Sequence, residues 1–357
     1  MGSVRALYFE THGDTTGLVV GERPQPQPGP GEVVVRVRAA ALNHLDLFVL
    51  RGLPGAPVEL PHIGGADGAG TVADVGGEVT GWQVGDGVVL NPGLWCGQCE
   101  FCCRGEESQC VRFRIVGEHV DGTFAEYVKV PVTSLAPKPP HLTWPEASAF
   151  GLTFLTAWRM LVSRAGLSAG ESVLIHGIGG GVALAALAIA KRLGATVFVT
   201  SSSDAKLARA AEMGADHTLN YTSADVPREV RSLTDKRGVD VVVETVGAAT
   251  WMGSLRSVAK GGRIVTCGAT SGANPGEEIR LVFWNQLSIL GSTMGSCKDW
   301  QAMVRAVQGW KLHPIIDSML TLDEGRAAYE RMAKGEQFGK IVLNVAGNDS
   351  AAGQNGA

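Results

Sequence analysis

Five of the seven cysteines crowd between positions 96 and 110. Cys96-x2-Cys99-x2-Cys102-x7-Cys110 offers four thiolates within 15 residues, enough to close a tetrahedral zinc site. Closed thiolate coordination leaves no open position, so the expected zinc organises a lobe at about residues 93–113 and performs no chemistry. Cys103 adjoins Cys102 and competes with it as third ligand on spacing alone. Cys267 and Cys297 are isolated and read as small buried hydrophobes.

A second constellation is built from glycine. After the apolar run Ser172-Val173-Leu174-Ile175-His176 comes Gly177-Ile178-Gly179-Gly180-Gly181-Val182-Ala183, opening a long apolar helix. Glycines allow a sharp turn and close approach of backbone to a pyrophosphate, whose charge then meets the helix N-terminal amides. The spacing is imperfect, because Ala183 takes the last small position. About 20 residues on, NAD-preferring folds place an acid against the ribose hydroxyls. Here stands Thr200-Ser201-Ser202-Ser203-Asp204. Asp204 directly precedes the helix expected over Ala205–Met213 and reads as its N-cap. The hydroxyls of Ser201 and Ser202, with Lys206, then suit a 2′-phosphate, and NADPH is expected ahead of NADH.

The elements around these residues fall into two sets. Up to about residue 140, short strands such as 33–39, 70–76, 86–90 and 124–130 are punctuated by glycine and proline, as in a small antiparallel barrel. From about 145 the period changes. Pro145–Arg164 reads as one helix capped by Thr143. Strands at 172–176, 196–200, 239–243, 263–266 and 287–290 then alternate with helices, predicting a parallel doubly wound sheet. Ala346–Ala357 reads as a disordered tail.

Composition narrows the function classes. A formal net charge of −4 gives no reason to expect nucleic acid. No lysine/arginine block marks a membrane surface, the start lacks the apolar run of a signal peptide, and no apolar stretch is long enough to span a bilayer. A cytoplasmic protein is expected.

These stretches together resemble the medium-chain dehydrogenase/reductase superfamily, that of zinc alcohol dehydrogenases and quinone oxidoreductases. The resemblance runs from Val4 to Val345. It is carried by Leu42-Asn43-His44-Leu45-Asp46, Gly64–Gly76, Val84-Gly85-Asp86, the four-cysteine lobe, 121–127, Leu152–Trp158 and Phe338-Gly339-Lys340-Ile341-Val342-Leu343. It implies an α/β fold: a GroES-like β-barrel catalytic domain (1–150 and 297–345) interrupted by a Rossmann domain (151–296). It also selects Cys102 as the third ligand. Thr156 is expected to contact the nicotinamide and Tyr221 to help hold a 2′-phosphate. The expected cofactor set further takes in Gly177, Gly179, Gly180, Gly181, Val182, Val246, Gly268 and Lys340.

Three departures bear on the chemistry. Alcohol dehydrogenases of this family hold a catalytic zinc with a cysteine, a histidine and a further cysteine or acid. At the matching positions this chain has Asn43, Ala66 and Leu152. Asn43 with Asp46 resembles the Asn-x-x-Asp of zinc-free quinone oxidoreductases. Without a Lewis acid, hydride transfer is easiest to a conjugated acceptor, whose developing charge spreads over an enolate; a cleft between domains supplies proximity. NADPH-dependent reduction of an activated C=C or a quinone is therefore expected.

The candidate polar groups are Asn43, as donor to a substrate oxygen; His44 and His119, as proton relays; Asp46, more as a backbone-holding carboxylate than in direct catalysis; and Thr153, Asp67 and His62, the last expected to pack at a loop. Trp95, Phe113 and Trp284 are candidates for lining an apolar pocket. Two alternatives stay open: a zinc site rebuilt from His44, Asp46, Asp67 and His119, and a non-enzymatic NADPH-binding protein. The strand at 288–292 falls where this family pairs sheet edges, so a homodimer is expected.

Overall fold

The computed structural model describes residues 2–53 and 58–346. The expected disordered tail lies outside the described residues except for Ala346. The chain divides into two compact units, one running to Leu152 and resuming at Ser296, the other Thr153–Gly295. No described helix is long and apolar enough to cross a membrane.

The first unit is built around the strand Glu32–Ala41. Its valines at 33, 34, 35 and 37 are all buried, because β-branched side chains suit a pleated surface covered on both faces. This strand pairs with Asp67–Val75, Tyr127–Pro131 and Lys340–Asn344, in a seven-stranded sheet that also holds Gly87–Leu90, Leu135–Pro137 and Ile316–Thr321. The strand Ser3–Phe9, not expected from the sequence, pairs antiparallel with Leu18–Pro24 and His62–Ile63. One apolar core, including Phe9, Val35, Leu42, Leu90, Phe124, Tyr329 and Ile341, fills the space between.

Register then fixes what meets at the strand end. Ala41 pairs with Asp67 on one side and with Val342 on the other. Asn43 lies two residues beyond Ala41, and Lys340 two before Val342 on the antiparallel partner. Residues far apart in sequence are thereby brought to one point.

Pro145–Arg164 is not one helix. Thr143 caps Trp144–Ser148 as expected, with Glu146 completing the capping box. The chain breaks at Ala149–Phe150, resumes as Gly151–Trp158, and ends in a π-helical turn over Arg159–Arg164. The break coincides with a tertiary contact. It turns the Leu152 amide onto Asp67 Oδ1 at 2.6 Å, and a Cβ at Gly151 would stand 2.8 Å from that same oxygen.

The second unit carries six parallel strands: β1 (Ser172–Ile175), β2 (Thr196–Ser201), β3 (His217–Asn220), β4 (Val239–Glu244), β5 (Val258–Thr266) and β6 (Ser288–Gly291). Their order is β3-β2-β1-β4-β5-β6, the doubly wound arrangement whose direction reverses between β1 and β4. Val173, Leu174, Ile175 and Val241–Val243 are fully buried, as strands covered on both faces must be. Two expectations need correction here. Ser203, not Asp204, is the N-cap of the helix Asp204–Glu212, its hydroxyl accepting from the Lys206 amide at 3.4 Å. Asp204 is engaged instead by the Asn220 side chain at 2.7 Å. Cys267 and Cys297 are only partly buried. The first follows the end of β5 and the second opens the helix Cys297–Gly309.

Candidate active site

The strand-end junction of the first unit gathers Asn43, Asp46, Asp67 and Lys340, all buried. Asn43 caps the helix His44–Arg51. Its amide donates to Asp46 Oδ2 at 2.7 Å, while the Gly65 amide donates to Asp46 Oδ1 at 3.1 Å. Asp46 is thus the backbone-holding carboxylate expected. Complete burial outweighs these hydrogen bonds and pushes its carboxyl up to about 7.

Asp67 Oδ2 accepts from Lys340 Nζ at 2.8 Å and from Asn43 Nδ2 at 3.0 Å. Lys340 Nζ also donates to Asn43 Oδ1 at 2.5 Å. The second Asn43 amide hydrogen faces the Ala41 carbonyl at 3.4 Å. Thr123 donates to the Asp67 carbonyl at 2.7 Å. Asn43 was expected to donate to substrate, yet both its amide hydrogens face protein acceptors. Lys340 was expected among cofactor groups, but its ammonium is engaged inside this cluster. No sequence pattern pairs Lys340 with Asp67 across 273 residues; the available signal was charge alone, since an acid and a lysine inside apolar strands need partners.

The donor set here does not fit a catalytic zinc. Asn43 offers a carboxamide, Ala66 and Leu152 offer no donor, and Asp67 is already paired with a cation. The rebuilt site does not assemble either: among the described residues, only the cysteine cluster brings three or more His, Cys, Asp or Glu ligand atoms together. His44 opens its helix and keeps a solvent-accessible face, while the protein packed around its ring and the Lys340 ammonium hold it below its ordinary value. His119 belongs to a separate turn, its Nδ1 accepting from the Ile115 amide at 3.2 Å, and desolvation and Arg114 hold it down. His62 packs in a strand and not a loop, 2% exposed, with Nε2 against the Gly117 carbonyl at 3.1 Å.

The thiol cluster fits a metal. The sulfurs of Cys96, Cys99, Cys102 and Cys110 lie within 4.8 Å of one another, close to the spacing roughly 2.3 Å Zn–S bonds impose. Pairing of Gly93–Leu94 with Arg114–Ile115 closes the base of the lobe. The Cys96 and Arg112 amides each donate to Cys110 Sγ at 3.3 Å. The Gln98 amide leads the effects that hold the Cys96 thiol down to about 5. Cys103 is exposed and its sulfur turns to the Gln98 carbonyl, so the geometry selects Cys102. Beside the lobe, Trp95, Cys96, Arg112, Phe113 and Arg114 line a cavity of about 500 Å³. Trp284, the third aromatic expected there, is 73% exposed on the helix Ile279–Asn285 of the other unit.

In the second unit the candidate cofactor residues converge at the C-terminal ends of the strands. Gly177 and Gly179 have φ of 68° and 117°, values that favour glycine. Gly180 caps the helix Gly181–Arg192, whose first-turn amides have no intrahelical acceptor and are free for a phosphate. Ser201 ends β2 and Ser202 follows it, Tyr221 follows β3 and is 53% exposed, Val246 follows β4, and Gly268 follows β5. A Cβ at Gly177 would lie 3.8 Å from Val246 Cγ2, so the turn and that residue are neighbours. Thr153 and Thr156 are buried on the helix Gly151–Trp158.

Sequence reading missed the network beneath this turn. Glu244 Oε1 accepts from the Val246 and Gly247 amides at 2.8 and 3.0 Å, and Oε2 from Ser254 at 2.7 Å. With the Ser254 proton so used, His176 Nε2 donates to Ser254 Oγ at 3.0 Å. His176 Nδ1 then accepts from Thr200 Oγ1 at 3.3 Å, and that oxygen accepts the Gly177 amide at 3.2 Å. Burial holds this histidine below its ordinary value, against the opposing pull of the Glu244 carboxylate. The signal was a glutamate closing the apolar run of β4, because a buried carboxylate requires such donors.

A dinucleotide cradle at the switch point of a parallel sheet, with a separate barrel carrying a buried polar cluster, defines a nicotinamide-dependent oxidoreductase. The family model for the alcohol dehydrogenase GroES-like domain matches residues 29–140, and that for zinc-binding dehydrogenases residues 181–309. A zinc-type alcohol dehydrogenase-like protein of Schizosaccharomyces pombe is 32% identical over 88% of this chain and 90% of its own. An acryloyl-coenzyme A reductase of Sulfurisphaera tokodaii is 32% identical over 93% of this chain and 97% of its own. The crystal structure of an NAD-dependent alcohol dehydrogenase superposes with a TM-score of 0.92 at 47% identity, covering 96% of this chain and 99% of that one. The chain belongs to the medium-chain dehydrogenase/reductase superfamily.

Proposed function

We infer that this enzyme transfers hydride from NADPH to a conjugated acceptor, an enone-type C=C or a quinone, without a catalytic metal. The carrying observation is the replacement at the three ligand positions, with Lys340 Nζ 2.8 Å from Asp67 and 2.5 Å from Asn43. When bound, the nicotinamide supplies the hydride. The chain binds the dinucleotide through Gly177–Val182 and steadies charge through the buried polar cluster. The names of relatives that reduce acryloyl-coenzyme A support a conjugated acceptor.

NADPH is favoured because Ser201 and Ser202 stand at the end of β2 and Asp204 is held by Asn220. The competing reading, an NADH-dependent alcohol dehydrogenase, draws on relatives named for that activity. A panel of 2-cyclohexenone, 1,4-naphthoquinone, crotonyl-coenzyme A and primary alcohols, each with both cofactors, separates them. Turnover of the conjugated acceptors with NADPH is expected; turnover of alcohols alone would replace this reading.

One zinc on Cys96, Cys99, Cys102 and Cys110 would hold the lobe together and take no part in hydride transfer. The enzyme is also proposed to be a homodimer in the cytoplasm. β6 is a sheet edge carrying Ile289, and the preceding helix exposes Ile279, Phe283 and Trp284 at 59, 61 and 73%. An open apolar edge invites pairing. A monomeric mass in sizing with light scattering would contradict it.

A further inference from the structure

We propose that His176 is a positioning residue for the dinucleotide: through Thr200 it holds the glycine turn in the shape that presents the first amides of the helix Gly181–Arg192. The proposal rests on the reading of Gly177–Val182 as the dinucleotide cradle and names what sets its geometry from beneath. Donor accounting carries it. Four hydrogens run in one direction along a buried chain. Ser254 donates to Glu244 Oε2 at 2.7 Å, and His176 Nε2 to Ser254 Oγ at 3.0 Å. Thr200 donates to His176 Nδ1 at 3.3 Å, and the Gly177 amide to Thr200 Oγ1 at 3.2 Å. His176, Thr200, Glu244 and Ser254 are at most 4% exposed, so water offers no substitute partner. With the ring proton on Nε2, every donor has its acceptor. The opposite tautomer would turn a bare Nε2 on the Ser254 oxygen and a second N–H on Thr200, stranding the Thr200 hydroxyl hydrogen. Burial penalises such an unpaired group.

The chain ends on the turn itself. Thr200 holds two successive amides, Gly177 through Oγ1 and Ile178 through its carbonyl at 2.8 Å. The Gly177 carbonyl in turn accepts the Gly180 amide at 3.2 Å, one residue ahead of the helix. At the other end, Glu244 holds the Val246 and Gly247 amides at 2.8 and 3.0 Å. The segments that follow β1, β2 and β4 are thus tied together through one imidazole. The action proposed requires no contact with the dinucleotide. It is complete before binding, because a turn already ordered loses less entropy when a pyrophosphate arrives.

The test uses the full-length, zinc-loaded protein. NADPH and NADH are titrated by fluorescence, urea unfolding is run in parallel, and imidazole nitrogen NMR shifts report the His176 tautomer. Thr200→Val is close in shape but lacks the hydroxyl, and Thr200→Ser keeps it. Ser254→Ala removes the acceptor of Nε2 at the far end of the chain. NADPH affinity is expected to weaken about tenfold in Thr200→Val and about fivefold in Ser254→Ala, and to stay within about threefold in Thr200→Ser. Combining Thr200→Val with Ser254→Ala should weaken binding no further than Thr200→Val alone, because a chain already cut transmits nothing more. The native ring should carry its proton on Nε2, and Ser254→Ala should mix the two tautomers. Lost stability with unchanged affinity would overturn the proposal and leave the chain a packing feature. So would two effects that multiply in the double variant, or a native ring protonated on Nδ1. A native protein that binds neither cofactor would remove the cradle reading, and the proposal with it. If Thr200→Val fails to fold, Ser254→Ala and His176→Gln decide, since a glutamine amide keeps one donor and one acceptor. Near-native affinity in His176→Gln with weakened affinity in Ser254→Ala supports the proposal; unchanged affinity in Ser254→Ala overturns it.

Discussion

Two regions of the barrel unit match stretches to which the family resemblance assigns metal ligands, and they differ in opposite senses. The lobe keeps four thiols converging within 4.8 Å. The strand-end cluster has an amide, a methyl and an isobutyl group where ligands belong, and a lysine ammonium bonded to Asp67. Four converging soft thiolates suit a metal such as zinc, so this region keeps a donor set that fits one. A carboxylate can instead be satisfied by an internal cation. The two sets of side chains in one unit therefore differ independently, and which group pairs with Asp67 is decided by the strand that the register places beside it.

The largest effect that could break this comparison is at the lobe. Cys110→Ser should eliminate bound zinc and melt the lobe, since structural zinc contributes on the order of 10 kcal/mol of apparent binding free energy. Metal content and protease susceptibility of the lobe would show it. Next comes Asp67→Ala, which strands the Lys340 charge and should cost about 3–5 kcal/mol in urea unfolding. Adding Lys340→Met should restore most of that loss, and failure to do so would show that the pair is not the source.

A smaller effect involves Asp46. Its carboxyl is raised from 3.8 to about 7 by burial, so the folded state binds this proton more tightly than the unfolded chain. The associated stability is complete below about pH 4 and is lost as pH rises through 7. Asp46→Asn should cost about 1 kcal/mol as a weakened cap and flatten stability between those limits; an unchanged pH profile would remove the assignment. Smallest of all, Cys103→Ser should leave zinc content and stability within about 0.5 kcal/mol of the native protein, because its sulfur lies outside the cluster.

Local features were legible in the sequence. Cysteine spacing located the lobe, and glycines between a strand and a helix located the cradle, because both depend on residues close in the chain. The alternation of strands and helices after residue 145 conveyed the doubly wound sheet. What escaped depends on tertiary register. Lys340 meets Asn43 and Asp67 only because Ala41 pairs with both Asp67 and Val342. The interruption at Ala149–Phe150 escaped too, since Gly151 stands against Asp67, a residue far from it in sequence. The exchange of caps between Ser203 and Asp204 turned on Asn220, 16 residues further along. Each miss is a polar group whose partner is distant in sequence.

Metal content of the purified full-length chain, measured by mass spectrometry with and without Cys110→Ser, addresses the contrast between the two regions most directly. One zinc per chain in the native protein and none in the variant is the expected result. A metal ion that persists after the lobe is disabled, and is lost on changing Asp67, would contradict an ammonium at the strand-end cluster.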